Sequence, residues 1–157
     1  MMEHTTAAER KVIVFQLRDE EYAVSVDQVG GIERLLPITR VPQTAPFVKG
    51  VINLRGVVTP VIDLRLRFGI EETDHTESTR IIIVYLDDIE VGLIVDVAND
   101  VIDIPEDQIE PAPEVVGTID VDYISGVAKV DNRLLILLDL QKVLTHKEVE
   151  ELKEIEG

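Results

Sequence analysis

The chain is written twice over. VIVFQLRDEEYAVSVDQVGGI from Val12 runs in register with IIIVYLDDIEVGLIVDVANDV from Ile81 at an offset of 69, and GVINLRGVVTPVIDL from Gly50 runs with GVAKVDNRLLILLDL from Gly126 at an offset of 76. Leu17 thus meets Leu86, Asp19 meets Asp88, Glu21 meets Glu90, Val26 meets Val95 and Leu64 meets Leu140. A sequence repeated in this way restricts the fold to two units of one topology. The offset rises from 69 to 76, so the second half carries seven more residues, most simply in the loop from Pro105 to Tyr123. Each half has only about sixty residues, too few to bury a strong core alone. We therefore expect residues 1–157 to form one domain with a shared core, built from a first barrel over 12–68 and a second over 80–144.

Within each half the apolar residues fall in short runs rich in Val, Ile and Leu and bounded by Gly, Asp and Asn, which is the pattern of strands. The runs are Lys11 to Leu17, Tyr22 to Val26, Gly50 to Leu54, Val57 to Ile62, Arg80 to Leu86, Glu90 to Val95, Asp100 to Ile104, Gly126 to Val130 and Leu134 to Leu138. Arg18-Asp19-Glu20, Arg55-Gly56, Asp87-Asp88 and Asp131-Asn132 read as tight turns between them. The spacing leaves no room for crossover helices, so a parallel α/β sheet is excluded. Helix is confined to short turns after Asp63 and Asp139, each able to cap, and to residues 145–157. There Thr145 and Glu148 have capping-box spacing and Val149, Leu152 and Ile155 line one side.

Composition removes whole classes of function. With 31 acidic against 15 basic residues the net charge is −16, which repels phosphate backbones and anionic lipid, so neither nucleic acid nor a membrane surface is an expected partner. No cysteine is present, which rules out thiolate zinc, disulfides and thiol catalysis. The start MMEHTTAAERK lacks the apolar stretch of a signal peptide, and no run approaches the ~18 residues of a membrane span, so a soluble, cytoplasmic protein is expected. His4, His75 and His146 are far apart in sequence, and no nucleophile, phosphate-loop or dinucleotide motif occurs. Asp100, Asp103, Glu106, Asp107 and Glu110 lack the alternation and glycine of a calcium loop. We expect no catalytic residue, no metal and no cofactor. Asp19, Glu20, Glu21, Asp87 and Asp88 read as turn formers and edge protection.

One asymmetry remains. Between Arg34 and Arg67 stand the bases Arg34, Arg40, Lys49, Arg55, Arg65 and Arg67 against the single acid Asp63. Such an island is either a docking surface for an acidic partner or a patch neutralised by the acidic remainder of the chain. Inside it, Leu54-Arg55-Gly56 occupies the turn that the second half builds with Asp131-Asn132. Gly56 can supply the positive φ of that turn. Arg55 is not needed for it, and at a hairpin tip its guanidinium is placed to grip a carboxylate with two donors.

FVKGVINLRGVVTPVIDLRLRFG, preceded by DEEYAVSVDQV and followed by EVGLIVDVANDVIDIPEDQIEPAPEV and YISGVAKVDNRLLILLDLQKVL, resembles the CheW family of bacterial chemotaxis coupling proteins. The resemblance runs from Val12 to Leu144, and the NLRG segment with its flanks is its most specific part. It implies a mainly β fold of two intertwined five-stranded SH3-like barrel subdomains with a short C-terminal helix. It also implies a non-enzymatic adaptor that is cytoplasmic and recruited to membrane-associated chemoreceptor arrays. There it would couple the cytoplasmic tips of methyl-accepting receptors to the regulatory domain of a CheA-type histidine kinase. Receptor contact is then expected at Val29, Lys49, Gly50, Arg55 and Gly56, and kinase contact at Pro111 and Val115. Relatives often carry Glu where this chain has Gly31 and a base where it has Glu110. Two other readings compete: a coupler of a non-flagellar chemosensory pathway, and an enzyme assembled from distant carboxylates around Arg55.

Overall fold

In the computed structural model the described residues are 8–112 and 121–156. The first half supplies β1 (Glu9–Leu17), β2 (Glu20–Ser25), β3 (Val29–Arg34), β4 (Val48–Leu54), β5 (Val57–Asp63) and the single helical turn α1 (Leu64–Arg67). The second half supplies β6 (Arg80–Leu86), β7 (Ile89–Val95), β8 (Val97–Pro105), the short β9 (Ile109–Glu110), β10 (Ile124–Val130), β11 (Arg133–Leu138) and α2 (Leu140–Val143). A final helix, α3 (His146–Glu156), follows.

Neither half makes a sheet of its own. One sheet has the order β8-β1-β2-β11-β10-β9 and the other β3-β6-β7-β5-β4, so each half lends its first hairpin to the other half's strands. This corrects the expectation that 12–68 and 80–144 are each a barrel. They are units of repetition, and the barrels are built by exchange. The exchange is symmetric: β1 pairs antiparallel with β8 as β6 does with β3, and β2 pairs parallel with β11 as β7 does with β5. The two parallel pairs arise from this exchange and not from crossover helices.

Burial explains why the hairpins trade places. On β1 and β2, Val12, Val14 and Ala23 fill one barrel, while Ile13, Phe15, Leu17, Tyr22 and Val24 belong to a second cluster between the barrels. On β6, Ile81 and Ile83 fill the other barrel, while Ile82, Val84 and Leu86 join the same central cluster. A hairpin apolar on both faces needs cover on both. Placed between two layers, each hairpin obtains it. Matched positions share an environment: Leu17 and Leu86, and Leu64 and Leu140, are all buried in the central cluster. The caps repeat as well, because Asp63 accepts from the Arg65 amide at 2.9 Å and Asp139 from the Gln141 amide at 3.0 Å.

The sequence reading missed β3 and β9. Val29-Gly30-Gly31-Ile32-Glu33-Arg34 contains two glycines and only two apolar residues, so its propensity is weak. The offset of 69 from the recognised run Asp100 to Ile104 would have located it. Glu20 and Glu21, read as hairpin-tip residues, lie within β2. α3 begins as expected, with the Glu148 amide donating to Thr145 Oγ1 at 3.1 Å and the Thr145 amide to Glu148 Oε1 at 2.8 Å. Val149 and Leu152 are buried against the central cluster.

Candidate functional site

Half of the basic island is spoken for within the chain. Arg65 holds Asp96 with Nε at 2.9 Å and Nη2 at 2.6 Å. Arg67 holds Glu148 with both terminal nitrogens, at 3.1 and 3.0 Å, and donates from Nε to the Val143 carbonyl at 2.6 Å. Lys49 pairs with Glu72. Among the described residues Arg34 and Arg40 have no ion-pair partner, and both are exposed. Self-neutralisation therefore accounts for half of the island, Lys49, Arg65 and Arg67. What remains outward is Arg34, Arg40 and Arg55.

Arg55 stands at the tip between β4 and β5 with its side chain 76% exposed. The turn is of the type with two left-handed residues, Arg55 at φ 54° and Gly56 at φ 86°, and the Gly56 amide donates to Asn53 Oδ1 at 2.8 Å. Gly56 alone therefore does not carry the positive φ, contrary to the sequence reading. The matching turn uses Asp131 and Asn132, at φ 50° and 67°, residue types that tolerate this region. An arginine there costs about 1 kcal/mol of backbone strain. Arg18 has a similar φ of 57°, but its amide is fixed by Asp96 at 2.8 Å, which is a structural reason. Among the described residues the guanidinium of Arg55 meets Glu33 of β3, at 3.2 Å. Glu33 was not among the sequence candidates. It lies one residue outside the Arg34 to Arg67 island, which is why a count of charges within that island passed over it.

The other receptor candidates fall around this hairpin. Lys49 and Gly50 are on β4 and Val29, packed on the central cluster, begins β3. Gly50 has a backbone reason to be glycine. Its φ is 142° and a Cβ would lie 2.1 Å from the Thr39 carbonyl oxygen, inside the bridge that joins Thr39 to Val51. Gly50→Ala is therefore expected to cost about 2 kcal/mol or more by forcing that bridge apart. Urea unfolding measures this, and an unchanged midpoint would show that the loop yields.

Of the kinase candidates, Pro111 is exposed just after β9, and Val115 lies outside the described residues. His4 also lies outside them, whereas His75 and His146 are exposed. Among the described residues no group of three or more His, Asp or Glu side chains comes together as metal ligands, and no helix is long and apolar enough to cross a membrane.

Arg133 opens β11 directly after the Asp131-Asn132 turn. It bonds Glu21 of β2 at 2.8 Å and Asp100 of β8 at 3.0 Å, and so ties three strands of one sheet together. Its hydrogen bond outweighs burial and holds the Glu21 carboxyl below its ordinary range. At Asp96, burial pushes the carboxyl up, but hydrogen bonds from Arg65 and the Arg18 amide prevail and lower it. A carboxyl with a depressed folded pKa contributes stability that is complete above its unfolded value and is lost as pH falls through the folded one. The urea midpoint is thus expected to fall as pH drops below about 5, through the ordinary carboxylate range and on beneath it. The fall should be smaller in Asp96→Asn. An equal fall in that variant would assign the acid sensitivity elsewhere.

Comparison with known proteins fits this geometry. The CheW-like domain family matches residues 11–148. The chemotaxis protein CheW of Bacillus subtilis is 53% identical over 134 residues, covering 85% of this chain and 86% of that protein. The chemotaxis protein CheW of Klebsiella aerogenes is 36% identical over 140 residues, covering 89% and 84%. The crystal structure of the scaffolding protein TtCheW from Thermoanaerobacter tengcongensis superposes with a TM-score of 0.83 at 39% identity, covering 90% of this chain and 96% of that one. The two sheets are accordingly two intertwined SH3-like subdomains, followed by a short C-terminal helix. The chain belongs to the CheW-like family.

Proposed function

We propose that this chain is a non-enzymatic chemotaxis adaptor that joins chemoreceptor cytoplasmic tips to the regulatory domain of a CheA-type histidine kinase, and that it is recruited in this way to membrane-associated receptor arrays. The observation that carries the proposal is the NLRG hairpin of a CheW-like chain, which holds Arg55 exposed on a strained left-handed tip. Strain kept at an exposed position serves recognition more readily than folding. Val29, Lys49, Gly50, Arg55 and Gly56 form the proposed receptor surface, in which Gly50 shapes the backbone and Arg55 supplies the charge. Pro111 and Val115 form the proposed kinase surface.

The test is a three-component elution with purified chain, a CheA-type regulatory domain and a receptor-tip fragment. Co-elution of all three is expected, and loss of both partners from the chain's peak would refute the adaptor role. Val115→Asp is expected to remove the kinase domain and leave the receptor fragment bound, because a charge placed in an apolar contact is desolvated without a partner. Simultaneous loss of both would contradict a separate kinase surface.

A further inference from the structure

α3 and the loop between β3 and β4 enclose a groove of about 340 Å³. Its apolar lining comes from Val41, Phe47 and Val48 on the loop side and from Leu152 and Ile155 on the helix. Among the described residues its charge comes from α3, because residues 41–48 include no charged side chain. Glu148 is committed to Arg67, but among the described residues no cation pairs with Glu151 or Glu154, which also line the groove and are exposed. Unpaired carboxylates beside an apolar, low-dielectric wall concentrate negative potential there.

Both walls are fixed before anything binds. The loop contains Pro42 and Pro46, holds Gln43 at φ 62°, and closes a turn in which Thr44 Oγ1 donates to the Val41 carbonyl at 3.1 Å. α3 is held by its capping box, by Arg67, and by the Lys153 to Asp88 ion pair at 2.8 Å. A preformed groove loses little entropy on binding. Lys49 follows Val48 in sequence but is tied to Glu72 and takes no part in the lining.

We propose that this groove is a third docking surface, which takes an apolar peptide segment of a partner protein bearing lysine or arginine along one flank. The apolar side chains would fill the space between loop and helix, and the cations would meet Glu151 and Glu154. The proposal stands independently of the receptor and kinase surfaces.

The probe is a fluorescein-labelled synthetic amphipathic peptide of leucine and lysine, about 14 residues long so that it can form a marginal helix, titrated by anisotropy into the full chain. Ala45→Trp fills the groove from an exposed loop position without changing charge, and Glu151→Lys with Glu154→Lys reverses the rim. Each change is expected to weaken binding about tenfold or more. Asp103→Lys with Asp107→Lys, an exposed acidic pair away from the groove, should change it less than about twofold. Wild-type binding in either groove variant, equal weakening in the control pair, or no binding by the parent chain would each overturn the proposal.

Discussion

Arg67→Ala is expected to lower the unfolding free energy by about 2–3 kcal/mol, below the full loss for a wholly buried pair because its side chain is 14% exposed and that of Glu148 is 22% exposed. The size follows from how much meets at this guanidinium. It forks onto Glu148 of α3, donates to the Val143 carbonyl at the end of α2, and lies 4.8 Å from the Phe47 ring centre and 5.3 Å from that of Tyr123. Tyr123 in turn stacks on Phe68 at 5.2 Å, Phe68 packs on Tyr22 at 5.9 Å, and Tyr22 packs on Phe15 at 5.8 Å. Truncation would remove the end of this ladder and strand the Glu148 carboxylate in a half-buried site. Lysine keeps the charge but not the planar fork that bonds and stacks together, so Arg67→Lys should recover less than half of the loss. Urea unfolding of the parent and both variants decides this. A loss within about 0.5 kcal/mol, the size of an ordinary surface change, would show that Arg67 does not pin the helix.

Arg55→Ala should do the opposite, with little effect on folding and a large one on binding. Its contact with Glu33 is an exposed pair of the kind worth about 0–1 kcal/mol, and alanine keeps the same Cβ at the left-handed tip, so the backbone strain is unchanged. Docked against a receptor carboxylate, the same guanidinium would be desolvated, and its loss would leave that carboxylate unpaired at about 2–5 kcal/mol. Receptor-tip affinity is therefore expected to fall at least about tenfold, a change equal to about 1.4 kcal/mol, while the melting temperature stays nearly constant. Arg55→Lys should restore it only in part. Arg133, beside the matching turn of the second half, would not serve as a control, because it ties β2, β8 and β11 together. Lys129, exposed on β10 of the other sheet, serves instead. Calorimetric titration with one receptor-tip fragment makes the comparison, and wild-type affinity in Arg55→Ala, or an equal loss in Lys129→Ala, would remove Arg55 from the site.

Much of the architecture was legible because repetition and alternation are local properties. The nine runs read from the sequence all lie in or overlap strands, β6 with the same ends, and both aspartate caps and the capping box occur where their spacing put them. The exchange of hairpins was not legible from the repeat. Val12 and Ile13 are both apolar, and alternation alone does not say which half covers which face of a strand buried on both sides. The electrostatics were the least legible part. Arg65, Arg67 and Lys49 find their partners 31, 81 and 23 residues away, distances over which sequence proximity carries no information. Arg55 survived as a candidate because its nearest acid, Glu33, leaves it mostly in solvent.

The coupling role is tested most directly by the rate of CheA-type kinase autophosphorylation in a reconstituted mixture of kinase and membrane-embedded receptor, with and without this chain. Receptor is expected to change the rate only when the chain is present, and the change should shrink at least about tenfold in apparent affinity when Arg55→Ala replaces it. A receptor-dependent change of the same size without the chain would contradict the adaptor function.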